Sequence, residues 1–302
     1  MQDQAGVASR RQLLETGLTD HDIRRLVRRR EMAPIGRGVY VGHTGVPTWE
    51  QRAWAAVLAL WPAALWGPSA LRAFEGSGKE DVIHVAVELH RNVASPRGVV
   101  VHRQGRFNDV VAWHLGPPRV GYDESVLDVA IGQRREVDTV AVLANAVGAR
   151  RTTAGRLRTA LSRRGRVSRR AWLEKVLEDI GAGTWSVLEL AYLERVERPH
   201  GLPHGRRQFR HVGPGGTRYR DVDLDWAVIE LDGRLHHSGS RQRDQDLERD
   251  LETAAEGRRT IRLGWGQVYD RPCQTAGLVA VVLRSAGWGG EPHTCSPQCA
   301  AV

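Results

Sequence analysis

The most informative part of the chain is residues 222–237, with the sequence Val222-Asp223-Leu224-Asp225-Trp226-Ala227-Val228-Ile229-Glu230-Leu231-Asp232-Gly233-Arg234-Leu235-His236-His237. Apolar residues alternate with acidic ones on both sides of Trp226, and a period of two is typical of half-buried β-strands. The stretch contains four carboxylates and two adjacent histidines. It therefore predicts two short strands whose acidic side chains share one face of a sheet.

The acidic face has two interpretations. Carboxylates that converge beside an apolar sheet repel one another and raise their own pKa values, unless a cation or basic side chains neutralise them. Mg²⁺ binds a few carboxylate oxygens and leaves its other positions to water and to phosphate oxygens. The pattern therefore predicts a divalent metal site for phosphodiester chemistry. The alternative is a solvated strand face on which the Asp residues pair with the many arginines of the chain.

Motifs around this stretch extend the pattern. They are Asp223, the Glu230-x-Asp232-Gly233 strand, the His236-His237 pair, a charged helix from Arg243-Asp244 to Arg249-Asp250, and Thr260-Ile261-Arg262-Leu263-x-Trp265-x-Gln267-Val268. Over residues 184–286 the sequence resembles the Vsr-like (very short patch repair) branch of the PD-(D/E)XK endonuclease superfamily. It departs from that pattern at two places. Asp232 occupies the position of the family-wide lysine, as it does in many members of this branch, and Gly257 is followed by Arg258 where members often have tryptophan.

The resemblance implies a restriction-endonuclease-like mixed sheet flanked by helices, with metal bound where two strands open. Asp223 and Glu230 would be ligands of Mg²⁺ or Mn²⁺. Glu189, in the preceding helix, would be a further ligand or a partner bridged by water. Asp232 would bind a second metal. These four residues form the predicted metal site, and a metal-activated water would attack the scissile phosphate.

Two other kinds of side chain complete the predicted site. His236 or His237 would act as general base or as a donor to the phosphate, because a neutral imidazole exchanges protons near neutral pH. Adjacent residues of an extended chain point to opposite sides, so the choice between the two stays open. A hydrogen-bonded loop role is the alternative for either one. Arg262 would contact phosphate or form a structural ion pair.

The N-terminal region carries an independent signal. Residues 8–15 are predicted to form a helix, residues 16–18 a turn, and Thr19 to cap a second helix that ends at Arg30. Residues 31–41 resemble a hairpin wing. This order is that of a winged helix-turn-helix. The region resembles the N-terminal domain of AbiEi-type antitoxins, and Arg37-Gly38-Val39-Tyr40 is its most specific feature.

The second helix of this motif would enter the major groove of DNA while basic side chains bind phosphates. The predicted nucleic-acid-binding residues are Arg24, Arg25, Arg28, Arg29 and Arg37, together with Arg262 of the C-terminal region. Helix-turn-helix units also serve as protein-contact modules, and an arginine-bearing face is often only solvated. Both alternatives stay open at this stage.

Composition is consistent with a polyanionic partner. The formal net charge is +9 and the sequence pI is about 10.2, which favours binding to phosphate backbones. Nine arginines and no acidic residue occur between Arg150 and Arg170. This run is interpreted either as a solvated helix face or as part of a nucleic-acid channel.

The odd number of cysteines and the lack of a signal-peptide pattern favour a reducing cytoplasm. His293-x-Cys295-x3-Cys299 offers zinc ligands in a terminal tail without a second pair, which is a weak zinc signal.

A chain of 302 residues has room for more than one core. We expect an α/β protein, α+β overall. The predicted segments are a winged helix plus an apolar helix (1–75), a strand pair with a helical connector (76–180), the endonuclease-like domain (184–286) and a flexible tail (287–302).

The predicted function is that of a cytoplasmic, bacterial DNA-binding protein with a metal-dependent endonuclease domain. Duplex DNA is the expected partner and a homodimer a possible assembly, with no membrane and no small-molecule cofactor. The strongest competitor is a non-enzymatic, antitoxin-type transcriptional regulator with a degenerate nuclease fold. A purely structural interaction protein is the third interpretation.

Overall fold

A computed structural model describes residues 4–76, 81–182, 186–213, 216–233 and 240–301 of the chain. The chain divides into two compact units, Met1–Ile131 and Gly132–Val302. Both units combine helices with a sheet, and sheets with parallel and antiparallel pairs occur in each. The predicted α+β class is therefore confirmed. The division falls inside the segment 76–180, whose strands lie in the first unit and whose last helices lie in the second.

The first unit is built from short helices and strands. Its elements, in chain order, are β1 (Val7–Ser9), α1 (Arg10–Glu15), α2 (Asp20–Arg28), β2 (Ala33–Gly36), β3 (Val39–Val41), α3 (Trp49–Ala59), β4 (Ala64–Leu65), α4 (Gly67–Glu75), β5 (Ile83–Glu88), β6 (Val99–Gln104), α5 (Phe107–Val110), β7 (Val111–Ala112), β8 (Arg119–Val120) and α6 (Tyr122–Ile131).

The first sheet has the order β1-β3-β2 and is antiparallel. Ser9 and Thr19 begin α1 and α2 with capping boxes, in which each side chain accepts from the backbone N–H three residues later. Such caps satisfy N–H groups that have no partner inside the helix. Leu13, Ile23 and Met32 fill the small core. The two helices and the hairpin expected over residues 8–41 are present. Ala8 belongs to a strand, β1, that was not expected, so the first helix begins at Arg10, and the second helix ends at Arg28 and not at Arg30.

The second sheet of this unit has the order β6-β5-β4-β8-β7. The strand pair expected within residues 76–180 is its parallel pair β5–β6. Buried Val57 and Leu60 on and after α3 pack with Ile83 and Val85 of β5. The apolar helix expected within residues 1–75 is α3, which ends at Ala59, and β4 follows it and joins the sheet.

The second unit begins with helices and continues into a sheet. Its elements are α7 (Glu136–Gly148), α8 (Ala154–Ser162), α9 (Arg170–Ala182), α10 (Ser186–Tyr192), a π-helical turn (Leu193–Glu197), a 3₁₀ turn (Arg198–His200), β9 (Arg206–Gly213), β10 (Gly216–Asp223), β11 (Ala227–Leu231), α11 (Ser240–Ala255), β12 (Arg259–Leu263), a second π-helical turn (Gly266–Asp270) and α12 (Pro272–Ser285).

The sheet of the second unit has the order β12-β11-β10-β9. Strands β9, β10 and β11 are antiparallel, and β12 runs parallel to β11. The two strands predicted from the alternation in residues 222–232 are therefore present as the end of β10 and the whole of β11. Strand β10 begins earlier than the pattern indicated, at Gly216, so it also includes Asp221. Val222, Ile229 and Leu231 are buried and form part of the core.

The segment after α12 contains no helix or strand among residues 286–301, yet it is packed. Ala301 is buried, and a Cβ placed on Gly277 of α12 would lie 2.9 Å from the backbone oxygen of Ala301. The N–H of His293 donates to the carbonyl of His200 at 2.8 Å. The tail that we expected to be flexible is thus held against the unit by backbone contacts. In the described ranges, no helix has both the length and the apolarity needed to cross a bilayer.

Candidate active site

The strand register places several carboxylates side by side. Val222 pairs with Ile229 across the antiparallel β10–β11 ladder. The paired register of these two strands ends here, and the N–H of Leu231 donates to Oδ2 of Asp221 at 2.7 Å, so the side chain of Asp221 lies beside β11. Asp232 follows β11, and its N–H donates to the carbonyl of Leu263 at 2.9 Å. Period-two spacing places Glu230 and Asp232 on one face, and, besides burial, the negative charge of Asp232 raises the pKa of Asp221, so Asp221 and Asp232 are neighbours.

Asp223, two residues after Asp221, has a different environment. Its side chain is fully buried and accepts from three guanidinium groups, those of Arg206 at 2.5 Å, Arg258 at 2.6 Å and Arg220 at 3.1 Å. Burial alone would raise the pKa of Asp223, but the hydrogen bonds and charge of Arg258 and the hydrogen bonds of the other two outweigh it and lower the pKa.

The prediction that Asp223 is a metal ligand and catalytic residue is therefore corrected. A carboxylate has about four lone-pair positions, and three of them are directed at arginines. The cluster continues through Arg220, whose side chain also donates to Glu256 at 2.8 Å. Asp223 thus belongs to a buried ion-pair cluster, which is the alternative that the sequence left open.

Asp221 takes the place on the acidic face that was expected of Asp223. Its Oδ2 accepts from the backbone N–H of Leu231 at 2.7 Å, and its Oδ1 lies 3.4 Å from the amide nitrogen of Gln208. Burial raises the pKa of Asp221, and the negative charge of Asp232 raises it further. Its hydrogen-bond partners in the described part of the chain are neutral groups.

Glu189 approaches the same place from α10. Its Oε1 accepts from the amide of Gln208 at 2.8 Å, so Gln208 bridges Glu189 and Asp221. Burial raises the pKa of Glu189, and the charges of Asp221 and Asp179 add to this effect. Asp179 in turn accepts from the hydroxyl of Ser186 and from the N–H of Val187, both at 2.7 Å, which fixes the start of α10.

The face formed by Glu189, Asp221, Glu230 and Asp232 offers hard oxygen ligands suited to Mg²⁺ or Mn²⁺. Glu189 and Asp221 have raised pKa values, chiefly because burial disfavours their charged forms, with a smaller contribution from neighbouring carboxylates. The carboxylates stand beside one another rather than closing on a single point. The group of described ligand-type side chains that does meet within 4.8 Å consists of a histidine and three cysteines elsewhere in this unit.

The remaining predicted site residues have separate outcomes. His236 and His237 lie outside the described residues. Arg262 pairs in register with Glu230 across β11 and β12, and its guanidinium donates to Asp250 of α11 at 2.9 Å. Arg262 thus forms a structural ion pair, which was the alternative to a phosphate contact in the sequence analysis.

The arginines predicted to bind nucleic acid lie in the first unit. Arg24, Arg25 and Arg28 are exposed on α2, Arg29 follows that helix, and Arg37 is exposed between β2 and β3. Two of them have acidic neighbours, since Arg25 lies 3.0 Å from Asp22 and Arg29 lies 4.0 Å from Glu31. These contacts leave a positively charged, solvated surface along α2.

Asp221 and Gln208 were missed from the sequence. Asp221 could have been found, because it precedes Asp223 by two residues and therefore shares its face. No local pattern marks Gln208, which reaches the site only through the pairing of β9 with β10. Comparison of the sequence with models of known families finds no match, and comparison with curated proteins finds no similar protein either.

Proposed function

We propose that the protein binds duplex DNA through its first unit and hydrolyses phosphodiester bonds at the acidic face of its second unit. One observation carries the proposal. Glu189 from a helix and Asp221 from a strand lie half-buried on either side of one amide, with raised pKa values, next to Glu230 and Asp232.

The contrast between Asp221 and Asp223 supports a functional role for the acidic face. Both residues lie on β10, yet the structure surrounds Asp223 with three guanidinium groups and gives Asp221 neutral hydrogen-bond donors. A carboxylate that serves only packing is stabilised by pairing, as Asp223 is. Holding Asp221 near other carboxylates costs free energy, and a function that needs negative charge at this place explains that cost.

The residues of the face fit a divalent cation. Asp221 and Glu230 are the proposed direct ligands, with Glu189 as a further ligand or a partner through water and Asp232 at the edge. Such an ion, when bound, neutralises the carboxylates and makes water a stronger nucleophile at neutral pH. Gln208 orients Glu189 and Asp221 toward each other. Asp232 replaces the lysine of the PD-(D/E)XK pattern, so no ammonium from this position assists the reaction.

The first unit supplies the proposed DNA-binding surface. Its helices α1 and α2 and the β2–β3 hairpin occur in the order of a winged helix-turn-helix. In this arrangement α2 enters the major groove, Arg24 and Arg28 contact phosphates or bases, and Arg37 reaches the backbone from the hairpin. The net charge of +9 favours the same partner.

The test is a nicking assay on supercoiled plasmid with and without Mg²⁺. We compare the wild-type protein with Asp221→Asn, which removes one charge of the face, and with Asp225→Asn, which removes an exposed charge from the adjoining β-turn. We expect Asp221→Asn to lower metal-dependent nicking by about 10- to 100-fold, as loss of a contact that supports a metal site does, and Asp225→Asn to nick at the wild-type rate. Equal nicking by Asp221→Asn and wild type refutes the proposed site.

A second function is favoured by one observation. Asp232 stands where the PD-(D/E)XK pattern has lysine, and a regulator of antitoxin type needs the DNA-binding surface but not the reaction. That function predicts salt-sensitive DNA binding without metal-dependent cleavage of plasmid or single-stranded DNA by the wild-type protein. The same assay therefore separates the two functions.

A further inference from the structure

A second group of ligand-type side chains lies away from the acidic face. His200, Cys273, Cys295 and Cys299 each place one ligand atom within 4.8 Å of the ligand atoms of the others. The histidine ends the 3₁₀ turn, Cys273 lies in the first turn of α12, and the other two cysteines lie in the tail. Three separate parts of the second unit thus converge on one point.

His200 is oriented as a metal ligand. Its residue is 1% exposed, and its Nδ1 lies 2.8 Å from the carbonyl oxygen of Val196. An N–H at Nδ1 donates to this carbonyl, which leaves Nε2 with a lone pair. Nε2 is buried and has no hydrogen-bond partner among the residues that the structure describes. An unsatisfied buried acceptor costs about 1–3 kcal/mol, and histidines that bind metals commonly donate their second ring nitrogen to a backbone carbonyl in this way.

The distances between the thiols fit a shared metal better than a disulfide. The sulfur atoms of Cys273 and Cys295 are 3.5 Å apart, whereas a disulfide bond is about 2.0 Å long. Ligands at about 2.3 Å from a tetrahedral Zn²⁺ have sulfur atoms about 3.8 Å from each other. All three cysteines are free, and a disulfide between any two of them would leave the third without a partner in the group.

The tail needs a source of stability that its sequence does not otherwise supply. Residues 289–301 contain no Leu, Ile, Met, Phe, Tyr or Trp, so their burial contributes little hydrophobic free energy. Fixing a residue's backbone costs about 1–2 kcal/mol. The tail is nevertheless packed, with Ala301 buried against Gly277 and the ring of His293 against Gly201. A metal bound by two tail cysteines would offset the cost of ordering it.

We propose that His200, Cys273, Cys295 and Cys299 bind one structural Zn²⁺ that fastens the tail to α12 and to the 3₁₀ turn. A set of three thiolates and one imidazole at tetrahedral distances is a ligand set of structural zinc sites, and four protein ligands leave no open position for catalysis. The ligand histidine is His200, not His293, although His293 is the one adjacent to the cysteines in the sequence.

The test measures metal in the full-length protein, purified without chelator under reducing conditions. We expect about one Zn²⁺ per chain by elemental analysis, or on addition of Zn²⁺ to the apoprotein. Co²⁺ in its place should give the intense sulfur-to-metal charge-transfer and ligand-field bands of a tetrahedral thiolate site. Cys295→Ser and Cys299→Ser should lose stoichiometric Zn²⁺, and because both residues lie in the tail, circular dichroism should show that the helices and sheets remain folded.

The matched pair of variants is His200→Asn and His293→Asn. The first should lose Zn²⁺ and the second should keep it, because the imidazole of His293 is not among the converging ligand atoms. Three outcomes overturn the proposal. They are a wild-type protein that binds no Zn²⁺ after reconstitution, unchanged Zn²⁺ content in Cys295→Ser, and one reactive thiol per unfolded chain instead of three, which would indicate a disulfide.

Discussion

Removing the carboxylate of Asp223 should destabilise the second unit strongly. Asp223→Ala deletes the acceptor of three guanidinium groups, of which Arg220 is 2% and Arg258 is 16% exposed in the side chain. Removing one partner of a buried ion pair typically costs about 3–5 kcal/mol, because it leaves an uncompensated buried charge. For a unit of this size, 1 kcal/mol lowers Tm by about 2–4 °C, so the expected decrease in Tm is about 6–20 °C.

The assay is thermal and urea unfolding followed by circular dichroism, with two controls. Asp225→Asn, exposed in the adjoining β-turn, should change the free energy of unfolding by less than about 0.5 kcal/mol. Arg206→Ala should have a smaller effect than Asp223→Ala, because the side chain of Arg206 is 61% exposed and exposed pairs contribute about 0–1 kcal/mol. An Asp223→Ala protein that keeps its wild-type stability but loses metal-dependent nicking would refute the reassignment of Asp223.

Three further results are expected. The pKa values of Glu189 and Asp221 are raised, so these carboxylates destabilise the fold once pH rises through those values. Mg²⁺ should therefore raise Tm at pH 8 and not at pH 4. At 100 times its Kd, Mg²⁺ should add about 2.7 kcal/mol to the free energy of unfolding, and Asp221→Asn should abolish this stabilisation. Burial, with the charge of His84, lowers the pKa of His102 to about 4. The folded state therefore binds a proton at His102 less readily than the unfolded chain, and the first unit should lose stability as pH falls from about 6.5 toward 4. Ring-proton NMR should show no titration of His102 near pH 6.5. In salt titrations of DNA binding, replacing Arg24 by Ala should reduce the slope of log K against log salt by about 0.9 per lost phosphate contact, whereas Arg11→Ala, an exposed control on α1, should leave the slope unchanged.

The secondary structure around the acidic face could be predicted from local patterns. Alternation with a period of two located the end of β10 and all of β11, and the capping residue Thr19 located the start of α2. The identity of the aspartate at the site could not be predicted in this way. Period-two spacing assigns Asp221 and Asp223 to one face, and what distinguishes them is Arg206, Arg220 and Arg258, two of which are brought to Asp223 only by the fold.

The histidine and cysteine group was missed for the same physical reason. The sequence places Cys295 and Cys299 near His293, and three ligands in one short segment are a weak zinc signal. The fold instead contributes His200 and Cys273, which precede Cys295 by 95 and 22 residues. Ligands that come from distant elements have no characteristic spacing, so only the packing of α12 and the tail against the 3₁₀ turn brings them together.

One ligand of each proposed metal site lies in a single continuous helical segment, since α10 carries Glu189 and the turns that follow it end at His200. Between them lies buried Glu197, which accepts from Arg207 of β9 and lies 2.6 Å from Nδ1 of His204. The ion pair between Glu197 and Arg207 holds this helical segment against β9, and it involves no residue of the tail. Loss of Zn²⁺ should therefore loosen residues 286–301 without displacing Glu189.

This arrangement determines how a chelator experiment on the proposed nuclease activity must be interpreted. EDTA would remove both proposed ions, so loss of nicking in EDTA alone would not show which ion the proposed reaction needs. Because Glu189 is held by Glu197 and by the capped start of α10, we expect Cys295→Ser to retain Mg²⁺-dependent nicking at temperatures below its unfolding transition. Loss of nicking in folded Cys295→Ser would instead mean that the tail supports the acidic face, and that Glu197 alone does not hold the segment in place.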